Sequence, residues 1–110
     1  MKSKIFISSP YTLGDVAQNL RIQHDVFNNL FTLGYMPFMP LLAHYQHMIH
    51  PLEYDQWIEY DYSWLETCDI LLRLPGESKG ADLEVTYANK IGIPVAYSIE
   101  EVKILLSRIK

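Results

Sequence analysis

Two carboxylates stand where acids are uncommon. Between Pro51 and Thr67, Tyr54, Ile58 and Leu65 recur at helical spacing, and Asp61 falls on the same stripe, three residues after Ile58 and four before Leu65. Residues so spaced share one helix face, which points Asp61 inward with the apolar side chains. Further along, Ala81, Val85 and Ala88 form a second stripe with Glu84 on its flank. Glu84 lies within about two turns of a helix start, where the macrodipole favours an anion. Two inward carboxylates on neighbouring helices are what acid and nucleophile chemistry at a glycosidic carbon requires. The same residue types also serve as boundary or capping groups. Glu53, Asp55, Glu59 and Glu66 face outward by the same count, as solvated surface.

Glu84 ends the run Ser78-Lys79-Gly80-Ala81-Asp82-Leu83-Glu84. A glycine loop feeding a helix start offers backbone N–H groups to a phosphate or sugar oxygen, although the same residues also make a plain helix-initiating turn. The lysine–serine or lysine–threonine pair of a Walker loop is absent, and no G-x-G-x-x-G follows the first strand, which sets aside ATPase and dinucleotide dehydrogenase chemistry.

These residues need a frame. Lys4-Ile5-Phe6-Ile7-Ser8 is the pattern of a strand covered on both faces, and we take it as the central one. Thr12-Leu13-Gly14-Asp15 resembles a capping box, after which Val16, Leu20, Phe27 and Leu30 keep helical spacing until Gly34. The proline-marked Tyr35 to Pro40 stretch reads as an edge strand or loop entry, and Pro40 to His50 as a loop. A helix from Pro51 to Thr67, with Pro51 in its first turn, leads into the strand Ile70 to Leu74 and the loop Pro75 to Gly80. A helix over Ala81 to Ile91, a strand over Ile93 to Tyr97 and a capping box at Ser98 to Glu101 opening the last helix complete the order. This alternation predicts a flavodoxin-like or Rossmann-like three-layer α/β sandwich: a small parallel sheet of about four to five strands with helices on both faces. Ligands of such sheets bind beyond the carboxyl ends of the strands, so Ser8–Tyr11, Pro40–His50 and Pro75–Gly80 are expected to share one crevice.

With 110 residues the chain has room for one domain, expected to span 1–110. Thirteen acidic and nine basic residues give a net charge of −4, without the basic surface that neutralises a nucleic-acid backbone. The one cysteine, Cys68, has no intrachain partner, and the N-terminal apolar run is too short for a signal peptide or membrane span. A cytoplasmic location is the expectation.

Ile5-Phe6-Ile7-Ser8-Ser9-Pro10-Tyr11, Asp61-Tyr62-Ser63-Trp64-Leu65-Glu66-Thr67-Cys68-Asp69 and Ser78-Lys79-Gly80-Ala81-Asp82-Leu83-Glu84 together resemble the nucleoside 2-deoxyribosyltransferase-like superfamily, from about Ile5 to Tyr97. The resemblance implies that Glu84 is the nucleophile at the anomeric carbon and that Asp61 assists on the nucleobase side. Six residues before the nucleophile the nucleoside transferases carry an aspartate and the nucleoside 5′-monophosphate hydrolases a serine; here Ser78 stands there, which leans towards the nucleotide N-glycosidase branch. A hydroxyl suits a phosphate, which a carboxylate would repel. Where the family carries a nucleophile-orienting tyrosine on the first strand, this chain has Phe6. Phenylalanine has no hydroxyl, so either Tyr11 orients Glu84 from the following loop or activity is weakened. Ser8-Ser9-Pro10-Tyr11 also replaces the family's glycine-rich, arginine-containing loop.

The expected function is cleavage or transfer of the N-glycosidic bond of a nucleoside or its 5′-monophosphate by retaining double displacement, without a cofactor. Ser8, Ser9, Pro10, Tyr11, Ser78, Gly80 and Ala81 are the expected substrate-binding residues, with His44 facing the crevice to meet base or sugar. Phe6 motivates an alternative, a nucleotide-binding or sensing module without turnover. A second alternative is a metal site on His44, His47 and His50, which recur every third residue near Glu53 and Asp55, although no H-E-x-x-H is present. His24 reads as surface, and Trp57, Trp64 and Tyr45 as base-stacking, core or interface residues. The resemblance further implies a homo-oligomer, dimer or tetramer.

Overall fold

Strand β1 (Lys4–Ser8) buries every residue after Lys4, as a strand covered on both faces must. A computed structural model describes residues 2–109 and places parallel neighbours on both sides of β1: β2 (Met36–Phe38) on one, β3 (Ile70–Arg73) on the other, with β4 (Val95–Ala96) beyond β3. Among the described residues the sheet thus has four strands in the order β2-β1-β3-β4. Pro37 is tolerated because β2 is an edge strand.

Side chains alternate across β1 and sort the layers. Ile5 and Ile7 pack with Ile70 and Leu72 against Leu30 of helix α1 (Val16–Thr32) and Val102 and Leu106 of α5 (Ile99–Ile109). Phe6 and Leu71 face the other way, onto Leu65 of α3 (Tyr54–Leu65) and Ala88 of α4 (Lys79–Ile91). The three-layer α/β sandwich anticipated from the alternation is the observed architecture. No helix among the described residues is long and apolar enough to cross a membrane.

Several element boundaries differ from those expected. Helix α1 is capped by Asp15, whose carboxylate accepts from the backbone nitrogens of Ala17 (2.9 Å) and Gln18 (3.3 Å), so Thr12 lies outside it. Helix α3 starts at Tyr54 rather than Pro51, because Glu53 and Gln56 form a reciprocal capping box. The stretch from Pro40 is not a loop: a single 3₁₀ turn, Pro40–Leu42, passes into the short helix α2 (Ala43–Ile49). Tertiary pairing holds this piece, since Leu41 N donates to the Gln23 side chain at 2.9 Å.

The chain leaves β1 towards β2 and later returns on the other side as β3, so the carboxyl ends of β1 and β3 flank a topological switch point. Arg73, at the end of β3 and 9% exposed, closes one side of it. Its guanidinium donates to the Leu74 carbonyl, the Gly76 carbonyl (2.9 Å) and Asp82 Oδ1 (3.0 Å), tying the loop after β3 to the first turn of α4. Gly76 adopts φ +117°, and a Cβ there would stand 2.7 Å from Pro10 Cγ, so the loops after β1 and β3 meet across a glycine that nothing larger can replace.

Gly76→Ala therefore combines left-handed strain with a clash, whereas Gly34→Ala, at φ +96° with nothing within 4 Å, carries the strain alone. Thermal unfolding is expected to show Gly76→Ala as the less stable of the two by about 1–3 kcal/mol.

Candidate active site

A cavity of about 650 Å³ opens beyond the carboxyl end of β1, between the segment that follows β2 and the start of α4. Ser9 and Tyr11 line it from the loop after β1, His44 and His47 from α2, Trp57, Ile58 and Asp61 from α3, and Ser78, Gly80, Ala81 and Glu84 from the start of α4. Ser8 and Pro10 are not in this wall: Ser8 lies behind Glu84, and Pro10 packs over Gly76.

Glu84 is buried, 7% exposed, one turn into α4 from Gly80. Ser8 Oγ donates to Glu84 Oε1 at 2.6 Å, the length expected of a hydroxyl on a carboxylate. The carbonyl of Ala81 stands 3.4 Å from the same Oγ. One hydroxyl proton serves one acceptor at a time. Phe6 is fully buried and stacks on Phe38 with centroids 5.5 Å apart. Two residues further on, Ser8 projects from the same face of β1 and brings a hydroxyl to Glu84. Tyr11, one of the two alternatives left open by Phe6, does something else: its hydroxyl pairs with His44 Nδ1, with the rings edge to face at 80°.

Ser78 caps α4, its Oγ accepting from Ala81 N at 3.1 Å, so one lone pair is committed to the helix while the hydroxyl faces the cavity. His47 accepts at Nδ1 from the Trp57 indole (2.7 Å) and from Leu52 N (3.2 Å), fastening α2 to the start of α3. His50 and His24 are exposed. Among the described residues no three of His, Cys, Asp and Glu converge as a metal would require, so the histidine triplet does not form the ligand set that its spacing suggested. Two residues escaped the reading of the sequence. Arg73 is one. The other is Gln23, 1% exposed, whose Nε2 donates to Ser9 Oγ at 2.7 Å while its Oε1 takes Leu41 N. Gln23 sits on the α1 stripe between Leu20 and Phe27, the same polar-on-apolar signal that singled out Asp61.

A family model described as a domain of unknown function, DUF7768, matches residues 3–98. The chain belongs to that family. No curated protein matches the sequence. Among solved structures it is similar to a 2-deoxyribosyltransferase from the psychrotolerant bacterium Bacillus psychrosaccharolyticus, with TM-score 0.64 and 19% identity over 88% of this chain and 76% of that one. It is also similar to the CMP N-glycosidase BcmB of Clostridium botulinum, with TM-score 0.58 and 18% identity over 84% of this chain and 66% of that one. At these identities the likeness is one of fold, and the fold of this DUF7768 member is nucleoside 2-deoxyribosyltransferase-like.

Electrostatics in the cavity follow from burial. Desolvation pushes Glu84 up to about 8, with the nearby Asp61 carboxyl adding to the rise while the Ser8 hydrogen bond and Arg73 oppose it. Desolvation likewise pushes Asp61 up to about 7. Across the neutral range the pair therefore holds protons that free carboxylates would have released. The unfolded chain gives these protons up near the ordinary carboxylate range, so the folded state binds more protons between there and about pH 8, and stability falls as pH rises through that window. Glu84→Gln keeps an acceptor for Ser8 and removes the ionisation. It is expected to raise the unfolding free energy by about 1–3 kcal/mol near pH 8. That gain shrinks towards zero near pH 4, and chemical denaturation across the range measures it.

Proposed function

We propose that this protein cleaves or transfers the N-glycosidic bond of a nucleoside or nucleoside 5′-monophosphate, with Glu84 as nucleophile and Asp61 as acid. The observation that carries the reading is the Glu84 carboxyl, withdrawn from water, oriented by Ser8 and sharing one cavity with a second carboxyl. The cavity volume suits a ligand of nucleotide size. The deoxyribosyltransferase and N-glycosidase with the same fold supply the reaction class.

The chemistry balances without a cofactor. A Glu84 oxygen forms an ester to the anomeric carbon as the carbon–nitrogen bond breaks, and the departing base nitrogen takes the Asp61 proton. With Glu84 at about 8 and Asp61 at about 7, the last proton of the empty site rests on Glu84, and the reaction runs through the form in which it has moved to Asp61, a form that positive charge developing on the sugar favours by stabilising ionised Glu84. Water, giving its proton to Asp61, or a second base then displaces the ester and restores the Glu84 carboxylate. The amides of Lys79 and Gly80, which have no intrahelical partner at the start of α4, together with the Ser78 hydroxyl, would hold the 5′ oxygen or phosphate. Ser9, Tyr11, His44 and Ala81 would complete the substrate wall. With Ser8 supplying a hydroxyl to Glu84, Phe6 no longer argues for a module that binds without turnover. Exposed Tyr45, Met48, Ile49 and Trp64 would seat further copies of the chain as a dimer or tetramer, and sedimentation showing a monomer at micromolar concentration would remove that part of the reading.

Incubation with ribo- and deoxynucleosides and their 5′-monophosphates, followed by chromatography of free base, is expected to show release that Glu84→Ala abolishes. Asp61→Asn and Ser8→Ala should each lower kcat by about 10²–10⁴ and about 10–10²-fold respectively. The native rate should be bell-shaped in pH, centred between about 7 and about 8, where the pair carries one proton. No release from any substrate, with or without an acceptor base, would sink the catalytic reading.

A further inference from the structure

His47 has its tautomer imposed by its neighbours. Both groups that reach its Nδ1, the Trp57 indole Nε1 at 2.7 Å and the Leu52 backbone nitrogen at 3.2 Å, can only donate. Neither bond can reverse, so in the neutral ring the proton sits on Nε2. That nitrogen is then an obligate donor, and it has no acceptor among the described residues. No buried side-chain nitrogen or oxygen among those residues lacks a partner, so Nε2 is not sealed in packed interior. His47 lines the cavity, three residues after His44 on the same short helix.

The sheet order decides which end of a ligand this donor meets. Helix α2 follows β2 at one edge, α4 begins beyond β3, and Glu84 reaches across to Ser8 of β1 between them. A sugar whose anomeric carbon lies over Glu84 directs its 5′ oxygen to the amides that open α4. Its base then extends towards α2 and α3, where Trp57, Ile58 and Leu41 offer apolar walls. Resting on the proposed reaction, we infer that the Nε2–H of His47 reads the exocyclic group of the base and selects a carbonyl oxygen over an amino group. An N–H facing an amino group leaves two donors unpaired in a desolvated wall, whereas a carbonyl satisfies it. Uracil- and hypoxanthine-type bases are thereby favoured over their cytosine and adenine counterparts.

Titration calorimetry with the Glu84→Gln protein, which should bind without turnover, tests this on the 5′-monophosphates of uridine, cytidine, inosine and adenosine. The keto member of each pair is expected to bind about tenfold tighter than the amino member. His47→Asn leaves an oxygen where Nδ1 accepts and nothing where Nε2 donates, so it should bring the two members to within about twofold. His47→Gln, which carries an amide N–H out to the Nε2 position, should recover part of the preference, a result that mere loss of the tether to Trp57 would not produce. Equal affinity for keto and amino members in the parent protein, or a preference that survives His47→Asn, overturns the inference while leaving the proposed reaction standing. If none of the four binds, the nucleotide reading and this inference fall together. If keto nucleotides bind preferentially but the native chain releases no base, the inference stands and the catalytic reading alone fails.

Discussion

The hydrogen bond from Ser8 to Glu84 is the constraint around which this molecule is arranged. It joins a strand to a helix 76 positions later in the chain, and it forms only if three things are right together. Strand β1 must turn Ser8 to the face on which Phe6 is buried. Helix α4 must start at Ser78, so that Glu84 and the core residue Ala88 share its inner side. The loop after β3 must deliver that helix at the correct height. Arg73 secures the last condition, since its guanidinium holds carbonyls of the loop and the carboxylate of Asp82 at once. A buried cation is costly to maintain, and here three acceptors offset the cost.

Much of this frame was legible in the chain itself. A short strand with an apolar centre, buried on both faces after Lys4, and helices whose stripes carry one acid each, leave few alternatives, because a period of 2 or 3.6 reports directly which side chains turn inward. Asp61 and Glu84 were found that way, and both do line the cavity. Periodicity names a face and not a partner, which is why the sequence leaves open which group the Tyr11 hydroxyl meets. Its hydroxyl meets His44, 33 residues away, through a short helix that two prolines disguised as a loop. Gln23 and Arg73 were passed over for a related reason. Each is a polar residue among apolar neighbours whose acceptors lie on other elements, and only the assembled fold shows them satisfied.

Likeness of fold carries less than likeness of site. At 19% and 18% identity the two solved neighbours establish how strands and helices are stacked, and what happens in the cavity must be argued from its own side chains. Phe6 illustrates the difference. Taken as an isolated position it removes a hydroxyl, yet the hydroxyl stands two residues further along the same strand face, which is the smallest displacement that a pleated strand permits without changing sides. The aromatic ring instead joins Phe38 and, beyond it, Trp64 in a stack that supports the edge strand from the α3 side.

The second acceptor of Ser8 has a further consequence. With the carboxylate at 2.6 Å and the Ala81 carbonyl at 3.4 Å, the hydroxyl can serve an ionised Glu84, or turn to the backbone while a protonated Glu84 donates to it. Rotation about a single C–O bond exchanges the two arrangements, and no heavy atom has to leave its place. Charge can therefore arrive at or leave the most deeply buried acid of the molecule with little reorganisation energy, the dipole that answers it being already in position.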